Sequence, residues 1–267
     1  MSASWRRRIR HNRIARNAYS WLLQFVDAGR LVRGLGGLRW YWSDYRRYRH
    51  LAALQEGPRS AERIELLPAL HERAPRHELD AHYFYVNAWA MRRVLAAGPD
   101  HHVDIGSQLA LAGLLSAALP VTYLDYRPVA ATVPGLSRVS GSLLALPCAD
   151  GSLRSVSCLH VAEHVGLGRY GDPLDPAGTR KAAAELERVV AVDGDLYFAL
   201  PLGRPRVCFN AHRVHSVEMV LALFPRLRLR ELSGVTDDGR FLEDVRPDAF
   251  AGSEYACGMF WFRRERT

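Results

Sequence analysis

The feature that most constrains the fold is a regular alternation of strand-like and helix-like segments that begins near residue 80. Short apolar runs typical of buried strands are separated by segments in which apolar residues recur at helical spacing. The predicted elements are, in chain order, a helix at 80–97, a strand at 102–105, a helix at 109–119, strands at 121–124 and 155–159, a helix at 176–192, a strand at 196–200 and a helix at 217–224. This order predicts a parallel, doubly wound α/β sheet.

The end of the chain departs from that alternation. Residues 227–235 and 255–262 both have strand character, and no helix is predicted between them. Two consecutive strands predict an antiparallel pair at the end of an otherwise parallel sheet. Local signals also bound the helix predicted before the last parallel strand, because Asp175 is a suitable N-cap, Pro176 suits a first turn and Gly194 follows the end.

The positive charge of the chain is confined to its first fifty residues. These contain 12 Arg and 2 Asp, a net charge of +10, whereas the other 217 residues have 24 basic and 26 acidic side chains, a net charge of −2. Within residues 4–28, apolar side chains recur between arginines at helical intervals, which predicts a cationic amphipathic helix. This helix could lie on an anionic membrane surface or pack on its own domain, and both alternatives stay open. No recognition motif accompanies the charge, so we expect no specific nucleic-acid partner.

A second helical segment and a connector follow. Three glycines within residues 34–37 predict a break. The aromatic-rich segment at 40–54 then predicts a helix that ends at Gly57–Pro58. We therefore expect a basic, aromatic-rich helical extension at residues 1–78 and an α/β domain at residues 79–267.

Cysteine usage and hydropathy indicate the cellular setting. The four cysteines are at least ten residues apart and form no C-x-x-C pair, so neither a disulfide framework nor a zinc-knuckle spacing is indicated. No run of about 18 apolar residues occurs, and the N-terminus lacks the pattern of a secretory signal. We expect a cytoplasmic protein, with peripheral contact to the inner membrane surface through residues 4–28 as the open alternative.

The turn after the first predicted strand is expected to bind a small molecule, because ligands of doubly wound sheets bind at the carboxyl ends of strands. Asp104 and Gly106 lie at this turn, in the stretch HHVDIGSQLALAG. The glycines of a dinucleotide site are absent, whereas an acidic residue suits an ammonium or sulfonium group. Asp125 ends the next strand 21 residues later, where a carboxylate can accept hydrogen bonds from both hydroxyls of a ribose. A ribose joined to a cationic group describes S-adenosylmethionine.

Four segments resemble, in order and spacing, the class I S-adenosylmethionine-dependent methyltransferases that act on small molecules. They are DIGS, LDYRP, LPCADGSLRSVSCLHVAEHV and ELERVVAVDGDLYFALP. The resemblance implies a Rossmann-like, mostly parallel seven-stranded sheet and S-adenosyl-L-methionine as the cofactor. The residues that it implies at the cofactor are Asp104, Gly106, Ser107, Asp125, Ser142, Leu143 and His160.

Two further segments, CLHVAEHVGLGRYGDPLDP and FNAHRVHS, resemble an uncharacterised bacterial methyltransferase-like family. This family is a domain of unknown function that is often encountered in surface-polysaccharide gene neighbourhoods. The resemblance covers roughly residues 80–262 and implies a methyltransferase that acts on a sugar or surface-glycan precursor. The alternative is a catalytically inactive scaffold or binding protein in polysaccharide assembly, which the glycine-poor turn at residues 104–109 favours.

The order H-x-x-E-H at His160, Glu163 and His164 allows two interpretations. A zinc-protease helix would need both histidines on one face of a continuous helix. The segment instead follows a predicted strand directly, and two glycines soon interrupt it, so we predict no metal site. At a strand end, Glu163, His164 and the more distant His212 could orient or deprotonate an acceptor, and these are the catalytic candidates. Purely structural roles for the carboxylate and the imidazoles stay open.

Two polar loops complete the predicted crevice. Arg169, Tyr170 and Asp172 stand in a Gly- and Pro-rich loop that could be a mobile lid or a rigid Ω-like loop. Asn210 and Arg213 follow the fifth predicted strand, where open α/β sheets bind substrate groups. We expect these five residues to contact a small-molecule or glycan acceptor.

Overall fold

The computed structural model describes residues 28–56, 66, 68–70, 79–127 and 129–266. The chain divides into two compact units between residues 78 and 79. In the described part of the chain, no helix is both long enough and apolar enough to cross a membrane. The amphipathic helix predicted at residues 4–28 lies outside the described residues, except for its last residue.

In the first unit, one helix, α1 (Ala28–Glu56), runs through the glycine cluster. The break predicted at residues 34–37 is therefore wrong, and the helix predicted at 40–54 is the second half of α1. A glycine inside a helix costs roughly 1 kcal/mol relative to alanine but does not by itself end the helix. At Gly37 a side chain would not fit, since its Cβ atom would lie 2.8 Å from the carbonyl oxygen of Leu70.

Within residues 79–127 and 129–266, the second unit contains ten strands and four α-helices. The strands are β1 (His102–Ile105), β2 (Val121–Asp125), β3 (Leu136–Ser140), β4 (Leu153–Leu159), β5 (Val190–Leu202), β6 (Arg206–Cys208), β7 (His212–Val214), β8 (Arg228–Val235), β9 (Phe241–Leu242) and β10 (Ala256–Arg263). The helices are α2 (Ala81–Ala97), α3 (Leu109–Leu115), α4 (Gly178–Val189) and α5 (Val217–Leu223), with a short 3-10 helix at Pro247–Phe250.

Eight of these strands form one sheet with the order β3-β2-β1-β4-β5-β10-β8-β9. Neighbours among the first five strands in that order are parallel, and β10 is antiparallel to both β5 and β8. β6 and β7 form a separate antiparallel hairpin. The predicted doubly wound, mostly parallel α/β fold is confirmed, and the two-residue β9 adds an eighth strand to the seven predicted.

Helices cover both faces of the sheet, and an apolar cluster fills each face. Leu186 of α4 belongs to one cluster and Trp89 of α2 to the other. Side chains of successive strand residues point to opposite faces, so in β5 Phe198 joins the cluster of Leu186 and Tyr197 that of Trp89. Burial of apolar surface on both faces, at roughly 25 cal/mol per Å², stabilises the sheet that carries the site.

One strand was not predicted, and two predicted helices have different bounds in the structure. The sequence does not predict β3, because four of its five residues are exposed and leave no apolar run. α3 ends at Leu115 and not at residue 119. α4 begins at Gly178 with Ala177 as its N-cap, so Asp175 is not the cap; its carboxylate accepts a hydrogen bond from the Ala177 amide at 2.9 Å.

Candidate functional site

An open cleft lies at the carboxyl ends of β1, β2 and β4. β1 lies between β2 and β4 in the sheet, so the chain changes direction of winding here, and ligands of doubly wound sheets bind at such a switch point. The cleft contains about 780 Å³ of empty space, including its open mouth.

Eight of the fifteen site residues predicted from the sequence line this cleft. They are Gly106, Asp125, Ser142, Leu143, His160, His164, Tyr170 and Asp172. The seven that do not line it are Asp104, Ser107, Glu163, Arg169, Asn210, His212 and Arg213. Nine further lining residues were not predicted, namely Ile105, Leu124, Tyr126, Arg127, Gly141, Leu144, Val161, Val165 and Pro173. Each stands within two positions of a predicted residue, so the flanks of the strand ends were the signal that could have identified them.

Asp125, at the end of β2, presents a carboxylate to the cleft. Its side chain is 14% exposed, its Oδ1 accepts a hydrogen bond from the Arg127 amide at 2.7 Å, and its Oδ2 lies 3.1 Å from the Tyr123 hydroxyl. Gly106 adjoins it on the turn after β1, with a φ of +66° and only 3.1 Å between the position of a Cβ and Val161. The carboxylate is therefore held in place and keeps capacity to accept hydrogen bonds from a ligand.

Asp104 and Ser107 do not line the cleft, contrary to their predicted contact with the cofactor. Asp104 is fully buried, and its carboxylate accepts hydrogen bonds from the Ser107 amide at 3.1 Å and from the Ser157 hydroxyl. Ser107 Oγ in turn accepts a hydrogen bond from the Leu159 amide at 3.1 Å. Burial raises the pKa of Asp104 to about 6, although the hydrogen bonds from Ser157 and Ser107 oppose that shift. This acid closes the turn and does not face a cationic ligand.

Buried polar groups continue from Asp104 into the sheet. His102 lies between two serines, with Nδ1 2.7 Å from Ser155 Oγ and Nε2 2.9 Å from Ser157 Oγ. Burial lowers the pKa of His102 to about 3, so its imidazole is neutral. These groups satisfy one another's hydrogen bonds inside the sheet.

His160 follows β4 in a left-handed backbone conformation, with a φ of +57°, and no helix begins there. The interpretation of H-x-x-E-H as a zinc-protease helix is therefore excluded. His160 Nδ1 lies 3.0 Å from Oε1 of Glu163, and its Nε2 lies 3.2 Å from Sγ of Cys257. The ring of His82 is stacked on the His160 ring with 6.0 Å between centroids.

Glu163 is buried beneath His160, with only 1% of its side chain exposed, and does not reach the cleft. Burial alone would raise the pKa of Glu163, but the hydrogen bond from His160 and the charge of that ring outweigh it and lower the pKa. Its buried position therefore does not allow the predicted direct contact of this carboxylate with an acceptor. It orients the His160 ring instead.

His164 lines the cleft, and the backbone fixes its ring. Its Nδ1 lies 2.6 Å from the carbonyl oxygen of Ala211, so Nδ1 carries the proton and donates it, which leaves Nε2 without a proton in the neutral ring. Burial lowers the pKa of His164, against the opposing charge of Glu163, and keeps the ring neutral near pH 7. His212 does not line the cleft; it packs against Tyr255 with 5.1 Å between ring centroids.

The loop at residues 166–178 is fixed at both ends by Arg213. The buried guanidinium donates hydrogen bonds to the carbonyl oxygen of Val165 at 2.6 Å and to that of Asp175 at 3.0 Å. The two ends of the loop pass so closely that a Cβ at Gly166 would lie 2.2 Å from the carbonyl oxygen of Asp175. Arg213 therefore holds the loop and does not contact an acceptor, and these contacts favour the rigid loop over the mobile lid.

Tyr170 stands at the mouth of the cleft between two guanidinium groups. Cζ of Arg127 lies 4.5 Å from the centroid of its ring, and Cζ of Arg169 lies 5.2 Å from it. Arg169 and Asn210 are exposed outside the cleft, so neither has the direct acceptor contact predicted for it. The aromatic ring and Arg127 form the outer wall of the site.

Comparisons with known proteins support the fold. Residues 151–226 match the family described as "Caenorhabditis protein of unknown function, DUF268", a description that does not confirm the predicted bacterial family. A comparison with curated proteins finds no match. Among solved structures, the chain is similar to the YcgJ protein from Bacillus subtilis, at 13% identity and a TM-score of 0.50, over 69% of this chain and 100% of that one.

Two further solved structures carry methyltransferase names. The N-methyltransferase NodS from Bradyrhizobium japonicum, in complex with S-adenosyl-L-homocysteine, is 17% identical with a TM-score of 0.50, over 68% of this chain and 87% of that one. A protein from Galdieria sulphuraria, provisionally named sarcosine dimethylglycine methyltransferase, is 13% identical with a TM-score of 0.51, over 69% of this chain and 86% of that one. At such identities the similarity concerns the fold, and the second unit has the Rossmann-like fold of the class I methyltransferases.

Proposed function

We propose that the protein is an S-adenosylmethionine-dependent methyltransferase. The observation that supports this best is the carboxylate of Asp125 in the cleft, next to the glycine turn at Gly106. A strand-end carboxylate in this position suits the two hydroxyls of a ribose. Leu143 and Val161 supply apolar walls that suit an adenine ring. At Gly106, the lack of a side chain lets the methionine part approach the backbone.

The residues of the cleft could also assist the transfer itself. When bound, the cofactor supplies an electrophilic methyl group. His164 lines the cleft, and its Nε2, 3.7 Å from the buried Oε1 of Glu163, could accept the proton of an acceptor hydroxyl because its Nδ1 proton is donated to a carbonyl. General base catalysis of this kind contributes roughly 10²–10⁴-fold. The remaining acceleration would come from positioning, since methyl transfer needs an in-line approach.

We infer that the acceptor is a hydroxylated small molecule, such as a sugar or a surface-glycan precursor. Tyr170, Arg127 and Asp172 line the mouth of the cleft and offer the donors and acceptors that bind hydroxyl groups. The choice of a glycan depends on the sequence resemblance. Contact of residues 4–28 with the inner surface of a membrane, which would bring a cytoplasmic enzyme to a membrane-held precursor, belongs to the same proposal.

The alternative function is a catalytically inactive scaffold or binding protein in polysaccharide assembly. One observation favours it: Asp104 and Ser107, at the turn that would hold the methionine part, make their hydrogen bonds inside the protein. A scaffold of this kind could retain the cleft without turnover.

Calorimetric titration with S-adenosyl-L-homocysteine tests the proposal. We expect Asp125→Ala to weaken binding about a hundredfold, because two charge-assisted hydrogen bonds of roughly 1.5 kcal/mol each would be lost. Asp125→Asn keeps the shape and one acceptor oxygen, so its affinity should be intermediate. Asp100→Ala is the matched control. This exposed aspartate precedes the amino end of β1, away from the cleft at the carboxyl end, so its loss should not affect binding.

The outcomes separate the two functions. An unchanged dissociation constant in Asp125→Ala would remove the ribose assignment. No binding to the intact, folded protein would overturn the methyltransferase proposal. Binding of the cofactor without release of S-adenosyl-L-homocysteine in the presence of a panel of sugar acceptors would favour the scaffold.

A further inference from the structure

Three side chains from distant parts of the second unit meet next to the cleft. They are His82 in the first turn of α2, His160 after β4 and Cys257 in β10. One ligand atom of each, an imidazole nitrogen or the thiol sulfur, lies within 4.8 Å of the others. We propose that His82, His160 and Cys257 form a binding site for a transition-metal ion, with Zn²⁺ as the preferred occupant.

The orientation of His160 favours metal binding. Its Nδ1 donates a hydrogen bond to Oε1 of Glu163 at 3.0 Å, and its Nε2 faces Sγ of Cys257 at 3.2 Å. Histidines that bind metals commonly donate their other ring proton to a carboxylate, which fixes the tautomer and the ring. Glu163 therefore is the positioning residue, and His160 Nε2 is the ligand atom.

The surroundings of this pair favour a positive charge at the His160 ring. Glu163 is 1% exposed, and its Oε2 has no hydrogen-bond partner among the described residues. A buried carboxylate is costly unless it is paired with positive charge. The backbone of His160 is held at a φ of +57°, a conformation that non-glycine residues seldom adopt and that is concentrated at functional sites. A divalent ion on the far side of the imidazole would supply that charge to the buried carboxylate in place of a ring proton.

The types of ligand atom and the distances between them favour Zn²⁺. Two imidazole nitrogens and one thiolate are ligands of Zn²⁺, with bond lengths of about 2.0–2.1 Å and 2.3 Å. A tetrahedral ion would place nitrogen and sulfur about 3.5 Å apart, close to the 3.2 Å between His160 and Cys257. The His82 ring is stacked on that of His160, but His82 is only half-buried at a helix end, so rotation of its side chain can bring a nitrogen to the ion. On binding, the Cys257 thiol loses its proton to solvent and the metal–sulfur bond replaces the S–H bond.

The inference differs from the sequence-based expectation of no metal site, and it is independent of the proposed methyltransferase activity. Three protein ligands leave a fourth tetrahedral position for water or a ligand, as in zinc sites that are not purely structural. Because His160 also lines the cleft, the ion would border it.

Titration of the chelator-treated, intact protein with Co²⁺ tests the site. A cobalt ion bound to a thiolate in tetrahedral geometry gives a near-ultraviolet charge-transfer band and intense visible bands. We expect both bands in the intact protein and their loss on addition of Zn²⁺, which binds such sites more tightly than Co²⁺. His82→Ala and Cys257→Ser should abolish the charge-transfer band, whereas Glu163→Gln should keep it and weaken affinity about ten- to hundredfold.

Matched controls make the result decisive. His101→Ala and Cys208→Ser remove a histidine and a cysteine outside the cluster, and both should leave the bands unchanged. His82 is half-buried on a helix, so its variant should fold even if Cys257→Ser does not. Absence of the bands in the folded, intact protein, or their persistence in His82→Ala, would overturn the proposal. The contact between His160 and Cys257 would then be a hydrogen bond that binds no metal.

Discussion

The turns that follow β1 and β4 lie side by side at one edge of the sheet, but they use their polar side chains differently. After β1, Asp104 and Ser107 direct their hydrogen bonds into the protein. After β4, His160 and His164 both line the cleft, and His160 also contacts Cys257. The turn after β1 therefore stabilises the fold, and the turn after β4 presents reactive groups.

Cofactor binding and chemistry are therefore expected on different sides of the cleft. The first turn offers the cleft only the backbone at Gly106, so cofactor binding on that side depends on Asp125 of the neighbouring strand. The second turn holds groups with unused capacity, namely His164 Nε2 and the buried Glu163. Proton transfer and metal binding are therefore expected on the β4 side of the cleft.

The largest expected effect comes from Arg213, which anchors the loop next to the second turn. Arg213→Met should lower the free energy of unfolding by about 4 kcal/mol, because the partly buried carbonyl oxygens of Val165 and Asp175 would lose charge-assisted hydrogen bonds. For a domain of this size that corresponds to a melting temperature about 10 °C lower. Thermal unfolding followed by circular dichroism measures the change, and trypsin should cut faster after Arg169.

The control for this variant is Arg204→Met, since Arg204 is exposed and forms only a surface ion pair with Glu254. Such pairs contribute roughly 0–1 kcal/mol. Equal stability losses in the two variants would show that Arg213 does not anchor the loop. The contrast between the turn after β1 and the turn after β4 would then lack support on the β4 side.

A second prediction concerns the turn after β1, where the ionisation of Asp104 makes the free energy of unfolding depend on pH. Its pKa in the folded protein is raised to about 6 by burial, against about 3.9 in an unfolded chain. The folded state therefore binds the proton more tightly, so the stability that this group contributes is complete below about pH 4 and is lost as the pH rises through about 6. The loss amounts to about 3 kcal/mol.

Asp104→Asn removes this titration while it keeps a side chain of the same shape. The difference in free energy of unfolding between the variant and the natural sequence should shift by about 3 kcal/mol in favour of the variant between pH 4 and pH 8. Urea denaturation at several pH values measures it, with Asp100→Asn as the exposed control. A difference independent of pH would mean that burial does not raise the pKa of Asp104 and that its carboxylate is not enclosed in the turn after β1.

The two turns also show how far the sequence alone can lead. Gly106 and Asp125 could be predicted because strand ends and turns leave local signals. The inward direction of Asp104 could not, since it depends on the pairing of β1 with β4, in which Asp104 lies opposite Ser157. The link between His82 and Cys257 could not be predicted either, because the fold brings together residues that no local pattern connects.

The smallest expected effect concerns the mouth of the cleft, where Arg127 from the β2 end meets Tyr170 from the loop after the β4 turn. The guanidinium lies 4.5 Å from the ring centroid, and a partly exposed contact of this kind contributes roughly 0.5–1 kcal/mol. A double-mutant cycle of Arg127→Met and Tyr170→Leu, measured by urea denaturation, should give a coupling energy in that range. The matched cycle of Arg169→Met and Tyr170→Leu should give less, because that guanidinium is 5.2 Å away and also donates to a backbone carbonyl. A zero coupling for Arg127 would mean that the two sides of the cleft do not stabilise each other at its mouth, and the wall formed there by Tyr170 would depend on its own loop alone.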